Sequence, residues 1–230
     1  MFINKIFAGF EVNSRWCHHA LLAAGMAFGL VSSPLMAQED AAQVLENLLA
    51  QTQSLRAEVN QLLMDQDGRE LQETTAVLTM RKPANFGWRI VEPYEELMVT
   101  DGTAIWRYEP DLEQVTVQDF DAELDRTPVM LLNGDAASIV EAYTVTLTRM
   151  DDAVLRFVLQ PRRSSTLFER MSLTFDGPVL REMQFEDSLG QQTSLGFSQV
   201  ERNLTLPDDT FTFTPPVDAE LIDNRSGAAP

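Results

Sequence analysis

The chain is almost free of cysteine and histidine. Its 230 residues include one cysteine and two histidines, at the consecutive positions Cys17, His18 and His19. All three fall in a segment that we predict to be removed, so the remaining chain has neither residue type. Their loss excludes cysteine nucleophiles, disulfides, Ser-His-Asp triads, histidine-based metal sites and c-type haem attachment. We therefore expect no catalytic centre of these kinds and no cofactor.

The amino-terminal segment has the pattern of a secretory signal. Lys5 and Arg15 precede an apolar run at 20–31, which falls well short of the roughly 20 residues that a membrane-spanning helix needs. Residues 32–37 break the helical pattern and end in the small residue Ala37. This order predicts an exported protein whose residues 1–37 are a cleaved signal peptide. The alternative, a single membrane anchor, would need a longer apolar run.

Basic residues are scarce. The sequence has 17 Lys and Arg against 35 Asp and Glu, which gives a formal net charge of −18. Removal of Lys5, Arg15 and Glu11 with the signal changes that charge to −19. Phosphate backbones and anionic lipid surfaces repel such a chain, so we expect no nucleic acid among its partners. Because 44% of the residues are hydrophobic, the composition predicts a folded domain rather than a disordered chain.

Two segments have helical patterns. In the first, at about 40–55, apolar residues recur at helical spacing, and Asp40 with Gln43 forms a capping pair. By itself, this stripe is more typical of core packing than of a binding surface. The second segment, at about 127–142, has a proline at its first helical position and a further cap at Asp135.

The rest of the chain follows the period of two that is typical of strands. About eleven strands are predicted, and they include 86–90, 96–100, 103–108, 143–149 and 210–214. Because the links between them are too short for parallel crossovers, the sheet is expected to be antiparallel and to curl into a barrel or half-barrel. The two helical segments can bury their apolar stripes only inside it or across its mouth. We predict one domain at 38–223 and a disordered tail at 224–230.

Five stretches stand in the same order as the motifs of a known family. They are 80–90 (MRKPANFGWRI), 93–108 (PYEELMVTDGTAIWRY), 128–135 (PVMLLNGD), 187–193 (DSLGQQT) and 211–218 (FTFTPPVD). These stretches resemble the outer-membrane lipoprotein carrier protein family, LolA. Each motif is weak alone, but five in register make a specific match that extends over nearly all of the processed chain.

The resemblance implies a mainly β fold, an unclosed antiparallel β-barrel of about eleven strands whose helical lid encloses a hydrophobic cavity. It implies a monomeric periplasmic carrier, not an enzyme, which holds the acyl chains of a triacylated lipoprotein. Such a carrier takes its cargo from an inner-membrane lipoprotein-releasing ABC transporter and delivers it to an outer-membrane lipoprotein receptor.

Site residues follow from the resemblance together with the strand pattern. The residues expected to line the cavity are Phe86, Trp88, Ile90, Met80 and Leu78, with Trp106 and Tyr108 as weaker candidates. The residues expected in the lid are Leu45, Leu48, Leu49, Met130, Leu131, Leu132 and Ile139. For the aromatic residues, sheet core away from any ligand is the alternative, because alternation alone does not say which face is concave.

A basic residue is expected to latch the lid. The family pattern has an arginine directly before the proline of the first motif, where it bonds backbone carbonyls of the lid. In this sequence that position is Lys82, and the arginine is Arg81. Lys82 shares the face of Leu78 and Met80 and is the first choice, although a bulge before Pro83 would favour Arg81. Two solvated charges at a strand end are the alternative.

Two other classes of function are compatible with the sequence. The many carboxylates would allow an acid–base pair, as in a glycosidase, but they fall mostly in turns and at polar strand positions. A periplasmic lipid-binding sensor or regulator on the same fold is the closer alternative, because a fold does not fix a function.

Overall fold

The computed structural model describes residues 35–120, 132–163 and 168–226, without the side chains of 35–40. All of them belong to one compact unit, Ser33–Pro230. Residues 1–34 of the predicted signal lie outside this described part, as do Met130 and Leu131 of the predicted lid. Within it, no helix combines the length and the apolar character that crossing a membrane requires.

Twelve strands form one mixed but almost wholly antiparallel sheet. They are β1 (Ser54–Met64), β2 (Glu70–Arg81), β3 (Asn85–Glu92), β4 (Glu96–Thr100), β5 (Ala104–Glu109), β6 (Gln114–Asp119), β7 (Tyr143–Arg149), β8 (Val154–Pro161), β9 (Phe168–Asp176), β10 (Val179–Asp187), β11 (Gln192–Arg202) and β12 (Glu220–Asp223). Their order is β12-β6-β5-β4-β3-β2-β1-β11-β10-β9-β8-β7. Since β12 and β7 stand at the two ends of this order, the sheet is not closed. The prediction of a mainly β, unclosed sheet is confirmed.

Tight turns set the register of the neighbouring strands. Between β1 and β2, Asp65 Oδ1 accepts hydrogen bonds from the backbone N–H groups of Asp67 and Arg69, each at 2.9 Å. Between β4 and β5, Gly102 has a φ of +93°, and a Cβ atom there would lie 2.7 Å from the Cβ of Ala84. Any other residue at position 102 would therefore be strained and would clash with the β2–β3 turn.

Two α-helices cover one face of the sheet. Helix α1 spans Leu35–Ala50, and helix α2 spans Ala136–Ala142. Asp135 caps α2, because its Oδ2 accepts a hydrogen bond from the backbone N–H of Ser138 at 3.0 Å. The predicted bounds of the first helix were wrong. It begins upstream of Asp40 and ends at Ala50, and Leu55 belongs to β1, where it is buried.

The carboxyl-terminal segment differs from the prediction. Residues 210–214 are not a strand, since Asp208–Phe211 form a short 3₁₀ helix. The last strand is instead β12, which pairs in parallel with β6. Residues 224–226 are not a free tail: Asn224 donates to the Val117 carbonyl at 2.8 Å, and the Ser226 N–H donates to Asp119 Oδ2 at 2.8 Å. We call residues 203–226 the strap.

Candidate functional site

The face of the sheet that the helices cover is apolar. We call it the inner face. Leu78, Trp88 and Met98 lie opposite one another on β2, β3 and β4, and Met80 lies opposite Phe86. Leu78 and Phe86 are fully buried, and Trp88 is 9% exposed. These side chains belong to one hydrophobic cluster with the buried residues of both helices, and Ile90 packs against its margin.

The helices fill the space above the inner face. Ala41, Leu45 and Leu49 form the buried stripe of α1, and Leu48 packs beside it. Leu132 precedes α2 and Ile139 lies within it, and both are buried in the same cluster. The five predicted lid residues within the described part of the chain therefore all contact the main core.

The cavity between the described residues of the helices and the sheet is small. The cavity between them and the sheet has a volume of about 20 Å³, which is about what one water molecule needs. Leu48, Leu49, Leu55, Met80, Leu132 and Leu180 are among the residues that line it. In this conformation the helices themselves occupy the space that was expected to hold acyl chains. This cavity can hold an acyl chain only if a helix moves.

Trp106 and Tyr108 do not line this cavity, which corrects the prediction. Trp106 lies opposite Val99 and Val117, so it projects from the face of the sheet opposite to Trp88. Both aromatic rings pack against Phe213 of the strap, at centroid distances of 5.9 and 5.7 Å. They belong to a second apolar layer on the outer face. The buried members of that layer on β4–β6 are Val99, Ala104, Val115 and Val117.

Lys82 joins the sheet to both helices. Its Nζ donates to the carbonyl oxygen of Leu49, in the last turn of α1, at 3.0 Å. Burial lowers the pKa of Lys82, while the Asp135 carboxylate at the start of α2 opposes that shift. The pKa of Asp135 is lowered chiefly by its hydrogen bond from Ser138, and Lys82 adds to that effect. One ammonium group thus lies between the carbonyl end of α1 and the capped end of α2.

Arg81 lies on the opposite face, so it is not the residue that contacts the helices. The pairing of β2 with its neighbours runs without a register shift from Leu78 to Arg81, where the strand ends, and Lys82 follows directly. Arg81 Nη1 donates to the Leu206 carbonyl at 2.6 Å, and Nη2 lies 2.7 Å from Asp208 Oδ1. Its guanidinium also stacks over the Phe211 ring, 5.2 Å from the centroid. All three contacts are with the strap.

Comparison with known proteins identifies the family. The model of the outer membrane lipoprotein carrier protein LolA matches residues 50–214. The chain belongs to the LolA family. Proteins named outer-membrane lipoprotein carrier protein from Azotobacter vinelandii and Pseudomonas putida are 38% and 36% identical to it, over 202 and 204 residues. Each alignment covers 88% of this chain and 96% of the relative.

Solved structures resemble the fold more distantly. An uncharacterised conserved protein from Thermus thermophilus superposes with a TM-score of 0.52 at 14% identity, and the match covers 81% of this chain and 98% of that one. A LolA superfamily protein from Nitrosomonas europaea has a TM-score of 0.44 at 16% identity, with 77% and 98% covered. The LolA match by sequence runs from Ala50 to Thr214, so it includes β1 to β11 and the first half of the strap but leaves out β12 and almost all of α1.

Sequence reasoning missed half of the inner face. The buried residues of β8–β11 that face the helices include Phe157, Met171, Leu173, Met183 and Leu195, which lie opposite one another across these strands. Their alternation along each strand was a usable signal, but the family motifs do not extend to them. The complete inner face is therefore a trough with apolar strands on both sides of β1 and β2.

One polar residue of the LolA chain was also overlooked. Asn133, which is 3% exposed, donates from Nδ2 to the carbonyl oxygen of Asn85 at 3.1 Å. Its Oδ1 is buried and has no hydrogen-bond partner among the described residues. This contact ties the segment before α2 to the same β2–β3 turn that carries Lys82.

Proposed function

We propose that this LolA family member is a periplasmic carrier that binds the acyl chains of lipoproteins and delivers them across the aqueous space between two membranes. The observation that carries the proposal is the apolar trough with its own apolar cover. The buried apolar residues of the inner face and of the α1 stripe form one hydrophobic cluster, and the Lys82 ammonium binds the last turn of α1.

The energetics of lipid exposure support this function. Each acyl methylene in water costs about 0.8 kcal/mol, so a triacylated protein needs an apolar host to leave a membrane. In the closed form, α1 covers the inner face with Leu45 and Leu49, and α2 covers it with Ile139. We infer that cargo acyl chains replace these helix side chains, so that the apolar area exposed in the open form is covered again by lipid. In this role, α1 and α2 together are the lid.

The proposed route has a donor and an acceptor. We infer that an inner-membrane lipoprotein-releasing ABC transporter loads the carrier and that an outer-membrane lipoprotein receptor unloads it. Cleavage near Ala37 would release the chain into the periplasm. Neither a cofactor nor a catalytic residue is needed, because the carrier only exchanges apolar contacts. The names of the relatives, outer-membrane lipoprotein carrier protein, support the role of a lipoprotein carrier.

Native mass spectrometry of the protein purified from the periplasm tests the proposal. We expect a bound species with the mass of a triacylated lipoprotein, which is released when a purified receptor is added. A bound phospholipid that no receptor removes would favour a lipid-sensing regulator and contradict the carrier function. The unloaded chain, prepared by delipidation, serves as the control for nonspecific adducts.

A further inference from the structure

We propose that Asn203 is a positioning residue that fixes the carboxyl end of α1, so that the lid opens by swinging the amino end of this helix. The proposal rests on the proposed function, because it specifies how the inner face becomes accessible to acyl chains. Asn203 directly follows β11 and begins the strap. It therefore lies far from α1 in the sequence but next to its end in space.

Asn203 holds the connection between α1 and β1 with three hydrogen bonds. Its Oδ1 accepts from the backbone N–H of Gln53 at 2.8 Å, and its Nδ2 donates to the carbonyl of Gln51 at 3.0 Å. Its own N–H donates to the carbonyl of Ser54 at 2.8 Å. The backbone of Asn203 has a φ of +58°, a left-handed conformation that asparagine adopts more readily than most residues. The Asn203 side chain therefore supplies the hydrogen-bond partners of the Gln51 carbonyl and the Gln53 N–H, which lie on either side of Thr52.

Neighbouring residues strengthen the same attachment. Arg202 Nε donates to Thr52 Oγ1 at 3.0 Å, and Ser54 Oγ donates to the Leu204 carbonyl at 2.8 Å. From the other side, the Lys82 N–H donates to the carbonyl of Gln53 at 2.9 Å. Every residue from Gln51 to Ser54 is therefore hydrogen-bonded to β2, β11 or the strap.

The rest of α1 is held differently. Among the described residues, no hydrogen bond or ion pair joins residues 41–48 to another element, and the Gln43 side-chain amide donates within the helix, to Glu46 and Asn47. Ala41 and Leu45 are buried by apolar contacts alone, in the cluster that includes residues of α2 and β7. Apolar contacts are non-directional and can be exchanged for lipid without leaving a polar group unpaired, whereas the bonds around Thr52 cannot. The carboxyl end of α1 is consequently fixed by hydrogen bonds, whereas the apolar contacts of residues 41–48 can be exchanged for contacts with lipid.

Two pairs of spin labels measure this motion directly. Residues 38–230 contain no cysteine, so a pair of cysteines for labelling can be introduced without removing a native one. Gln43 and Ala50 are exposed on α1, and Glu58 is an exposed reference on β1. Gln43 is about 10 Å along the helix from Ala50, because each residue adds about 1.5 Å. On addition of a synthetic triacylated lipopeptide, we expect the 43–58 distance to change at least threefold more than the 50–58 distance. Equal changes would mean that α1 leaves as a rigid body, which contradicts the proposal.

Amide hydrogen exchange of the ligand-free protein tests the role of Asn203 itself. Asn203→Gly removes both side-chain bonds without straining the positive φ, and we expect the Gln53 amide to exchange about tenfold faster. Asn203→Asp keeps the acceptor for the Gln53 N–H, so it should restore most of the protection. Gln199→Gly is the matched control: Gln199 is exposed on β11, has a φ of +47°, and its side chain makes no hydrogen bond with the described residues of α1.

The two measurements separate the possible failures. If the lipopeptide does not bind at all, the carrier function is wrong, yet exchange in the ligand-free protein still decides the role of Asn203. If Asn203→Gly exchanges at Gln53 no faster than Gln199→Gly, Asn203 does not fix the helix and the proposal is overturned, whether or not lipid binds.

Discussion

Lys82 and Arg81 are consecutive residues that bind opposite layers of the molecule. Lys82 Nζ lies 3.0 Å from the Leu49 carbonyl of α1, whereas Arg81 Nη1 lies 2.6 Å from the Leu206 carbonyl of the strap. Successive side chains of a strand point to opposite faces, so the end of β2 holds the lid on the inner face and the strap on the outer face. The two basic residues therefore have separable roles.

Replacement of Lys82 by leucine is expected to leave loading intact and to impair release. The bond to Leu49 stabilises the empty, closed carrier, because Leu49 precedes the fixed residues 51–54 and its carbonyl tilts away from Lys82 when the helix swings. Without this bond, closing the lid after the cargo departs releases less free energy. A charged hydrogen bond contributes about 1.5–3 kcal/mol, and part of this is offset by the burial of Lys82, so cargo should be held roughly five- to tenfold more tightly. Transfer of a fluorescent lipopeptide from the carrier to the receptor measures this effect.

Lys82→Arg is the control for this substitution. It retains a donor at the same position, so transfer should stay within about twofold of the parent. If Lys82→Leu and the parent transfer cargo at the same rate, Lys82 does not latch the lid.

Replacement of Arg81 by alanine is expected to lower the free energy of unfolding without altering cargo affinity. The variant loses the bond to the Leu206 carbonyl and the stacking on Phe211, together about 2 kcal/mol. The ion pair with Asp208 adds little, because that carboxylate is 92% exposed. Urea denaturation monitors the loss. Arg181→Ala, which breaks an exposed pair with Asp176, should cost less than about 0.5 kcal/mol. A loss of lipopeptide binding in Arg81→Ala would contradict the separation of roles.

The sequence predicted the strands well where turns and alternation agree. The bounds of β4 and β7 match the predicted ranges 96–100 and 143–149. The segment at 210–214 alternates in the same way but forms no strand, because Phe211 and Phe213 bury their rings against the outer face from a 3₁₀ helix and the extended chain after it. Alternation reports which side chains are buried, and it does not report which backbone groups are paired.

The same limitation explains the misplaced aromatic residues. Trp88 and Trp106 both alternate with neighbours on apolar strands, and each faces a buried layer. Had the outer face been solvated, one apolar face would have been enough to orient the sheet. The strap covers the outer face at β4–β6, so both faces there are apolar and their sequences do not distinguish them. Lys82 was placed correctly on the side of the helices: the count by two from Leu78 runs without a bulge to the end of β2 at Arg81, and Lys82 follows it and binds the Leu49 carbonyl.

Acid is expected to weaken the contact between α2 and Lys82. The pKa of Asp135 lies below its ordinary value near 3.8, so its stabilising effect is present above that value and is lost as the pH falls through the lowered pKa. Asp135→Asn can still cap α2 but has no charge for Lys82. We therefore expect the parent to be more stable than Asp135→Asn at neutral pH, and the difference to close below about pH 4. Unfolding free energies of both chains across this range test it, and a difference that stays constant would contradict the assignment.

The two tryptophans of residues 38–230 make a built-in pair of reporters for cargo binding. Trp88 lies on the inner face beneath the lid, and Trp106 lies on the outer face against Phe213. In a Trp106→Phe chain, a triacylated lipopeptide should change the emission of Trp88, because acyl methylenes replace helix side chains around the indole. In a Trp88→Phe chain, the emission of Trp106 should stay the same, since the strap and not the lid covers it. A brominated acyl chain sharpens the comparison, because bromine quenches an indole only at close range. Quenching of Trp106 to the same extent as Trp88 would place the lipid on the wrong face of the sheet and contradict the inner trough as the binding site.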